Sequence, residues 1–384
     1  MLSINLQLEP NRKVSKVSSA QTVARRNTQG AQAQEQEDGT GPLRLALIGC
    51  GRIAQVAHAP ALEKAENIRL MAVCDPSGEV ARAVARRYDV PAAVTDTQAV
   101  LSDPEIEAVL IAAPDRFHYQ LAEAALDAGK HVLVEKPLAS TTGECENLVE
   151  LSRKSGLKLQ VGAMKRHDPG LQYARDFVTR QLGEIRSFNA WYRIGTIRPG
   201  VEASLFPPVF ADARARQVEA GHKADRERYL LATHGSHIFD TVRFLLGDIR
   251  SVTAVHRGFG RDHTWNSLVT LASGAVGTVV ITVDVPGDGA EGIQVFGSTG
   301  RINVDTHFPF FRRASDVWAY TTADGAAVVP VFADTDAYER QLEAFAHAVR
   351  TDGPTEPDVE DGLAAVRLVA AVAASAAEGR KVLL

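Results

Sequence analysis

The stretch Leu43–Ala54, LRLALIGCGRIA, is a short aliphatic run that ends at a glycine and passes into a helical pattern. A strand apolar on both faces fits a sheet buried on both sides. The spacing that follows it, G-x-G-x-x-A, gives each small residue a physical role. Gly49 allows the tight turn out of the strand, Gly51 leaves room for a ligand to approach the backbone, and Ala54 lets the helix pack closely. Arg52 and Ile53 lie between them at the helix N-terminus, where free N–H groups favour an anion such as a pyrophosphate. A second apolar run, Ile68–Asp75, closes on a carboxylate near the spacing at which such a turn meets an adenosine ribose.

The pattern then repeats. Apolar runs at Glu107–Pro114, His131–Glu135 and Leu157–Ala163 alternate with helical patterns at Ile53–Ala65, Glu79–Tyr88, His118–Ala128 and Thr142–Lys154. This alternation predicts an α/β domain over residues 42–163, a Rossmann dinucleotide-binding fold with a parallel sheet and right-handed crossovers. Gly129 stands where a helix C-cap is expected. Pro60, inside the first helical pattern, predicts a kink or a break.

Ligands of such sheets bind beyond the carboxyl ends of the strands. Two segments project there. One is Ala113–His118 (APDRFH), which brings Pro114 and His118. The other is Glu135-Lys136-Pro137, at the mouth of the run HVLVE. An ammonium at Lys136 would hydrogen-bond a substrate hydroxyl and stabilise alkoxide character as hydride leaves the carbinol carbon. Glu135 would orient Lys136 or touch the nicotinamide ribose, and Pro137 would fix the exit. Asp75 favours NAD, because its carboxylate would repel a 2′-phosphate and no arginine follows at once. Arg82 and Arg86, further along the helix, keep NADP open.

The chain has 384 residues, is 45% hydrophobic and 23% charged, and carries a net charge of −5, so two domains are expected and a nucleic-acid partner is not. No apolar run nears the roughly 20 residues of a membrane span, and no membrane partner is expected. Cys50, Cys74 and Cys145 lack metal-ligand spacing and read as buried thiols, which fits a reducing cytoplasm. Residues 1–41 are polar and contain no aromatic residue, so they read as a disordered tail, with an arm that orders against a partner subunit as the alternative. Arg25-Arg26 is not followed by an apolar core, so an export signal is not expected.

From Glu184 the period changes. Runs at Glu184–Gly195, Ile249–Phe259, Trp265–Val285, Gly292–Asp305 and Asp316–Tyr320 are rich in β-branched and aromatic residues, and the glycines of SGA and GSTGR read as hairpin turns. Helical patterns follow at Tyr338–Arg350 and Val359–Glu378. Residues 164–384 are therefore expected to form an α+β domain with a large, mostly antiparallel open sheet. Arg166 and His167 enter at the domain junction, and Asp168-Pro169 looks like a helix start. The long connection Gly195–Leu230 is expected to shape the substrate pocket or to contact a neighbouring subunit. His237, expected to begin a helix anchored by Ile238, Phe239, Val242, Leu245 and Leu246, is a candidate general base. Asp240 could orient it or His234.

GCGRIA, the Asp75 strand end, APDRFH and above all EKP resemble the Gfo/Idh/MocA family of NAD(P)-dependent oxidoreductases. VGAMKRHDP (Val161–Pro169), HGSHIFDTVRFLLG (His234–Gly247), SGAVGTV (Ser273–Val279) and VFGSTGRINVD (Val295–Asp305) extend the resemblance from about Leu43 to the C-terminus. It implies a Rossmann domain followed by a sheet domain whose open sheet forms a homodimer or homotetramer interface. It also implies catalytic roles for Lys136 and His237 and a substrate-facing loop at Arg166 and His167. Arg193 would join Arg166 if the substrate is acidic.

The family's pattern has an aspartate four residues before the histidine, and this chain has Thr233, which cannot supply a negative charge. His234 could take over part of that role. The implied reaction is hydride transfer between nicotinamide and a carbinol carbon of a small polyhydroxylated substrate: a sugar, glycoside, sugar acid or cyclitol. A redox-neutral hydrolase or lyase that uses NAD transiently, and a dinucleotide-sensing regulator without catalysis, are the rival readings. A biliverdin-reductase-like or dihydrodiol-dehydrogenase-like substrate is a weaker one.

Overall fold

A computed structural model describes residues 41–196, 209–212, 217, 221, 225–287 and 289–384. The polar tail up to residue 40 and most of the Gly195–Leu230 connection lie outside the described residues. Strand β1 (Leu43–Ile48) sits inside a six-stranded sheet with β2 (Ile68–Cys74), β3 (Ala92–Val94), β4 (Ala108–Ile111), β5 (His131–Glu135) and β6 (Leu159–Gly162), in the order β3-β2-β1-β4-β5-β6. Every neighbouring pair in it is parallel. The order reverses beside β1, which opens a crevice at the carboxyl ends of the strands.

Successive β1 residues serve opposite cores. Leu43, Leu45 and Leu47 pack with Val56, Leu62, Val80 and Val84 on one face. Ala46 and Ile48 pack with Leu126, Leu148 and Val134 on the other. Burial on both faces is what the unbroken apolar runs called for. The three-residue β3 and the helix Thr97–Leu101 are too short to give a periodic signal, and the sequence did not mark them. Pro60 lies in the first turn of the helix Ala59–Leu62, and the turn before it, Ala54–His58, is widened to a π-helix. That irregularity is where the proline's missing N–H and ring are accommodated.

The second sheet contains β7 (Ile185–Gly195), β8 (Ile249–Phe259), β9 (Asp262–Leu271), β10 (Val276–Val285), β11 (Ala290–Gly297), β12 (Gly300–Thr306), β13 (Asp316–Thr321), β14 (Ala326–Val328) and β15 (Val382–Leu383). Their order is β14-β13-β12-β11-β7-β10-β9-β8-β15. The β7–β10 pair is parallel and the others described are antiparallel. Phe188, Ala190 and Tyr192 point from β7 into a core shared with the helices Pro169–Arg180 and Arg226–Leu246.

The last two helices serve the cores of both halves of the chain. The helix Ala337–Thr351 contributes Tyr338, Leu342 and Phe345 to the Leu43–Leu45–Leu47 core. The helix Val359–Glu378 gives Val359, Leu363 and Val366 to the other Rossmann core, and Leu368, Ala371 and Val372 to the second sheet. Gly362 makes this approach possible: a Cβ there would lie 2.6 Å from Val161 Cγ2 and 2.9 Å from Leu138 Cβ.

Phe345 is fully buried, although it stands some 300 residues after β1 in the chain. Phe345→Ala is expected to lower the unfolding free energy by about 3–5 kcal/mol, measured by urea denaturation. A loss below about 1 kcal/mol would show that this helix does not complete the dinucleotide-binding domain.

Candidate active site

The turn after β1 is built as its sequence requires. Gly49 has φ +92°, and a Cβ on it would press on Ala113 N at 2.7 Å and on Ala112 at 2.8 Å. Gly51 meets nothing within 4 Å, so the space beside it is open to a ligand. Asp75, just past β2, accepts from the N–H of Cys50 (2.9 Å) and of Ser77 (2.9 Å), and so ties the glycine turn to the second strand. Ala54 is fully buried, Ile53 half-buried and Arg52 exposed. An open glycine, helix-start N–H groups and a carboxylate at the second strand end fit a dinucleotide: its pyrophosphate at Gly49–Ile53 and its adenosine ribose at Asp75.

At the end of β5 the two charges part company. Glu135 does not enter the crevice. One of its oxygens takes His58 Nε2 at 2.7 Å, and the other takes the backbone N–H of Lys136 at 3.2 Å. Burial would raise its pKa, but the His58 bond and the His58, Lys136 and His118 charges outweigh burial and hold it below the usual carboxylate range. His58 is fully buried and meets the Tyr338 ring edge-on at 5.2 Å. Lys136 precedes a cis peptide bond to Pro137. Burial lowers its pKa, the nearby Lys165 adds to this, and Glu135 and Asp115 oppose it. A crevice beside it has Lys136, Pro137 and Val161 on one side and Ser236, Asp240 and Asp361 on the other.

His118 also departs from expectation. It is 1% exposed, with Nδ1 2.7 Å from the Pro137 carbonyl and Nε2 2.9 Å from the Ala113 carbonyl. It fastens the loop Ala113–His118, which carries Pro114, to the turn at Pro137.

The helix Arg226–Leu246 carries Thr233, His234 and His237. His237 lies in its middle, not at its start; the helix is capped by Asp225, which accepts from Arg228 N at 3.1 Å. Gly235 hid this continuity, since glycine costs about 1 kcal/mol in a helix. Here it lets the final helix close in, with Val369 Cγ2 3.3 Å from where its Cβ would be. The His237 ring stacks on Tyr192 at 5.8 Å and 5°, and His234 meets the same ring at 5.3 Å. Burial, then Lys136, Lys165 and His234, push the His237 pKa well below that of an ordinary histidine. Its imidazole is therefore neutral and able to accept a proton. Thr233 is half-buried one turn earlier on the helix.

Three other expected residues are placed elsewhere. Arg166 is engaged by Asp240, through Nη2 (2.6 Å) and Nε (3.0 Å), and by Asp361 (2.8 Å). Asp240 is thereby committed to Arg166 and orients neither histidine. His167 is buried with Nε2 2.9 Å from the Glu356 carbonyl. Arg193 is exposed and follows Tyr192 on a strand, so it points to the opposite face of the sheet from the histidines. The residue missed in MKRH is Lys165. It is 6% exposed, paired with Glu291, and 4.7 Å above the Tyr192 ring. Glu291 and Tyr192 were missed as well, although they are direct cross-strand partners. His58 went unmarked because one histidine in an apolar helix carries no signal until Glu135 is placed beside it.

The description "oxidoreductase family, NAD-binding Rossmann fold" matches residues 43–163, and "oxidoreductase family, C-terminal alpha/beta domain" matches 223–384. The chain belongs to the Gfo/Idh/MocA oxidoreductase family. This member is 28% identical over 369 residues to the D-glucoside 3-dehydrogenase of Escherichia coli, covering 89% of this chain and 98% of that protein. It is 26% identical over 343 residues to D-xylose 1-dehydrogenase (NADP(+)) 2 of Haloferax volcanii, covering 88% and 99%. Its fold matches that of a levoglucosan dehydrogenase solved with NADH and levoglucosan, with a TM-score of 0.75 at 22% identity over 89% of this chain and 99% of that one. This Gfo/Idh/MocA protein is an NAD(P)-dependent oxidoreductase whose first domain is the NAD-binding one. None of its described helices is long and apolar enough to cross a membrane, and no metal-binding cluster is found among the described residues. Its three cysteines are buried and unpaired, as expected.

His167 also gives the protein an acid sensitivity. Burial, helped by the Arg340 and Arg166 charges and opposed by the Glu356 carbonyl, lowers its pKa from 6.5 to about 4. The unfolded chain therefore binds this proton first as pH falls, and stability is lost between those two values, by up to about 3 kcal/mol. His167→Gln is expected to flatten the loss of stability between pH 7 and pH 4, followed by denaturant titration at each pH. An unchanged slope would contradict the assignment.

Proposed function

We propose that this enzyme oxidises a CH–OH group of a small polyhydroxylated molecule, a sugar, glycoside, sugar acid or cyclitol, with Lys136 and His237 as its catalytic groups. One observation carries the reading: an ammonium from the end of a Rossmann strand lies close enough to a neutral imidazole from the second domain for its charge to act on it. Supporting it are the names of its relatives, a glucoside dehydrogenase and a xylose dehydrogenase among them.

NAD, when bound, supplies the hydride acceptor. Lys136 donates a hydrogen bond to the substrate oxygen and favours its alkoxide form. His237, kept neutral, takes the hydroxyl proton. Thr233, where a carboxylate would stand, hydrogen-bonds a neighbouring substrate hydroxyl without adding charge. His234 borders the same space and contacts the substrate from one turn away. Asp75 favours NAD over NADP, since a 2′-phosphate would meet its carboxylate.

Self-association is assigned to the uncovered face of the second sheet, where Trp191 and Arg193 lie on β7 and Leu268 on β9 is 56% exposed. It would give a homodimer or homotetramer in the cytoplasm.

The test is a polyol and glycoside panel with NAD and with NADP, followed by reduced-nucleotide absorbance. Steady turnover that Lys136→Ala and His237→Ala each lower by about 100-fold or more is expected, since a positioned acid–base group contributes roughly 10²–10⁴-fold. Substrate consumption without net reduced nucleotide would favour the redox-neutral reaction instead. Nucleotide binding with no consumption of any compound would favour the sensor.

A further inference from the structure

We propose that Lys165 is a positioning residue that acts through His237, holding the imidazole in its proton-accepting form, and that Glu291 fixes Lys165 in place. The proposal rests on the reading of His237 as the proton acceptor. Lys165 leaves the turn after β6 and is 6% exposed; the Glu291 side chain is 12% exposed. The two form an ion pair, and the ammonium lies 4.7 Å over the Tyr192 ring. Glu291 and Tyr192 face each other across the β11–β7 ladder, so anchor and ring stand side by side on the face turned to the catalytic helix. The same Tyr192 ring stacks on His237 at 5.8 Å and 5°. Cation, ring and imidazole thus form one packed unit, built by three elements other than the helix that carries His237.

The charges around His237 agree with this role. Lys136 acts on it from the end of β5, Lys165 from the turn after β6, and His234 from its own helix, with the Tyr192 ring packed against it from β7. None of these is a carboxylate. Asp240, on the same helix, is held by Arg166, and Thr233 brings no charge. A buried cation is poorly screened by solvent, so Lys165 disfavours a second positive charge on the imidazole. Glu291 complements it, because a lysine buried without a counter-charge tends to give up its proton, and its influence with it.

The experiment follows the imidazole C2–H resonance of His237 during a pH titration of the full chain without substrate, the signal being identified by its absence in His237→Asn. In Lys165→Met the midpoint is expected to move up by about one pH unit, the scale of removing one nearby like charge. Lys165→Arg, which keeps the charge, should leave the midpoint near its native place. Glu291→Gln, which leaves the buried lysine without its counter-charge and prone to give up its proton, should move it up as well. The acid limb of kcat/KM should shift in the same direction as each midpoint. If Lys165→Met does not fold, the double variant Lys165→Met/Glu291→Gln leaves no lone buried charge and should still move the midpoint up. An unmoved midpoint in folded Lys165→Met or in the double variant overturns the proposal, and a rise in KM alone would make Lys165 a substrate contact instead. Because the titration needs no turnover, this failure is distinct from a failure of the dehydrogenase reading.

Discussion

One buried guanidinium sets the geometry of this protein. Arg166 leaves the last strand of the dinucleotide-binding sheet, binds Asp240 on the helix that carries His237, and reaches Asp361 on the final helix. Arg243 completes the network by sharing Asp361 at 2.8 Å. Burial works against the Arg166 charge, but its two carboxylate partners outweigh burial and raise its pKa further. Losing one partner of such a network typically costs about 3–5 kcal/mol, because the other charge is left buried and alone. The network has a functional consequence. Lys136 and Lys165 belong to one sheet and His237 to a helix on the other, so their distance is fixed only as well as these elements are held together.

Charge placement then separates roles that the sequence presents as neighbours. Glu135 and Lys136 are adjacent in the chain, yet the carboxylate turns back to His58 while the lysine faces the crevice. Arg166 and Lys165 are adjacent too, and one is structural while the other lies against the aromatic ring that supports His237. In both pairs, a single step along the backbone separates a side chain tied into the scaffold from one whose charge acts on His237. The described groups acting on His237 include two lysines and no carboxylate, so the imidazole stays neutral, and the threonine that stands where an aspartate would adds no charge to oppose this.

Much of the fold was legible because its signals are local. The glycine turn at Gly49–Ala54, the apolar strands and the helix Val359–Glu378 follow from periodicity and from residues with one physical use. The candidate-site residues proposed from sequence, Gly49, Gly51, Asp75, Lys136 and His237, likewise stand in contiguous motifs. What escaped depends on contacts between distant segments. The sequence cannot say that Tyr338 and Phe345 belong to the first domain's core, that Glu291 meets Lys165, or that His118 bridges two carbonyls. Arg193 was misplaced for a simpler reason: alternation along β7 turns it away from the face that Tyr192 occupies, and motif reading ignored that parity.

The central claim is that the nicotinamide end of the cofactor lies between Lys136 and His237. A crystal structure of the chain with NADH tests it most directly. The pyrophosphate should lie on the turn Gly49–Ile53, the adenosine ribose at Asp75, and the nicotinamide ring in the crevice where Lys136 and His237 both face it. A nicotinamide ring bound away from either residue would contradict the account.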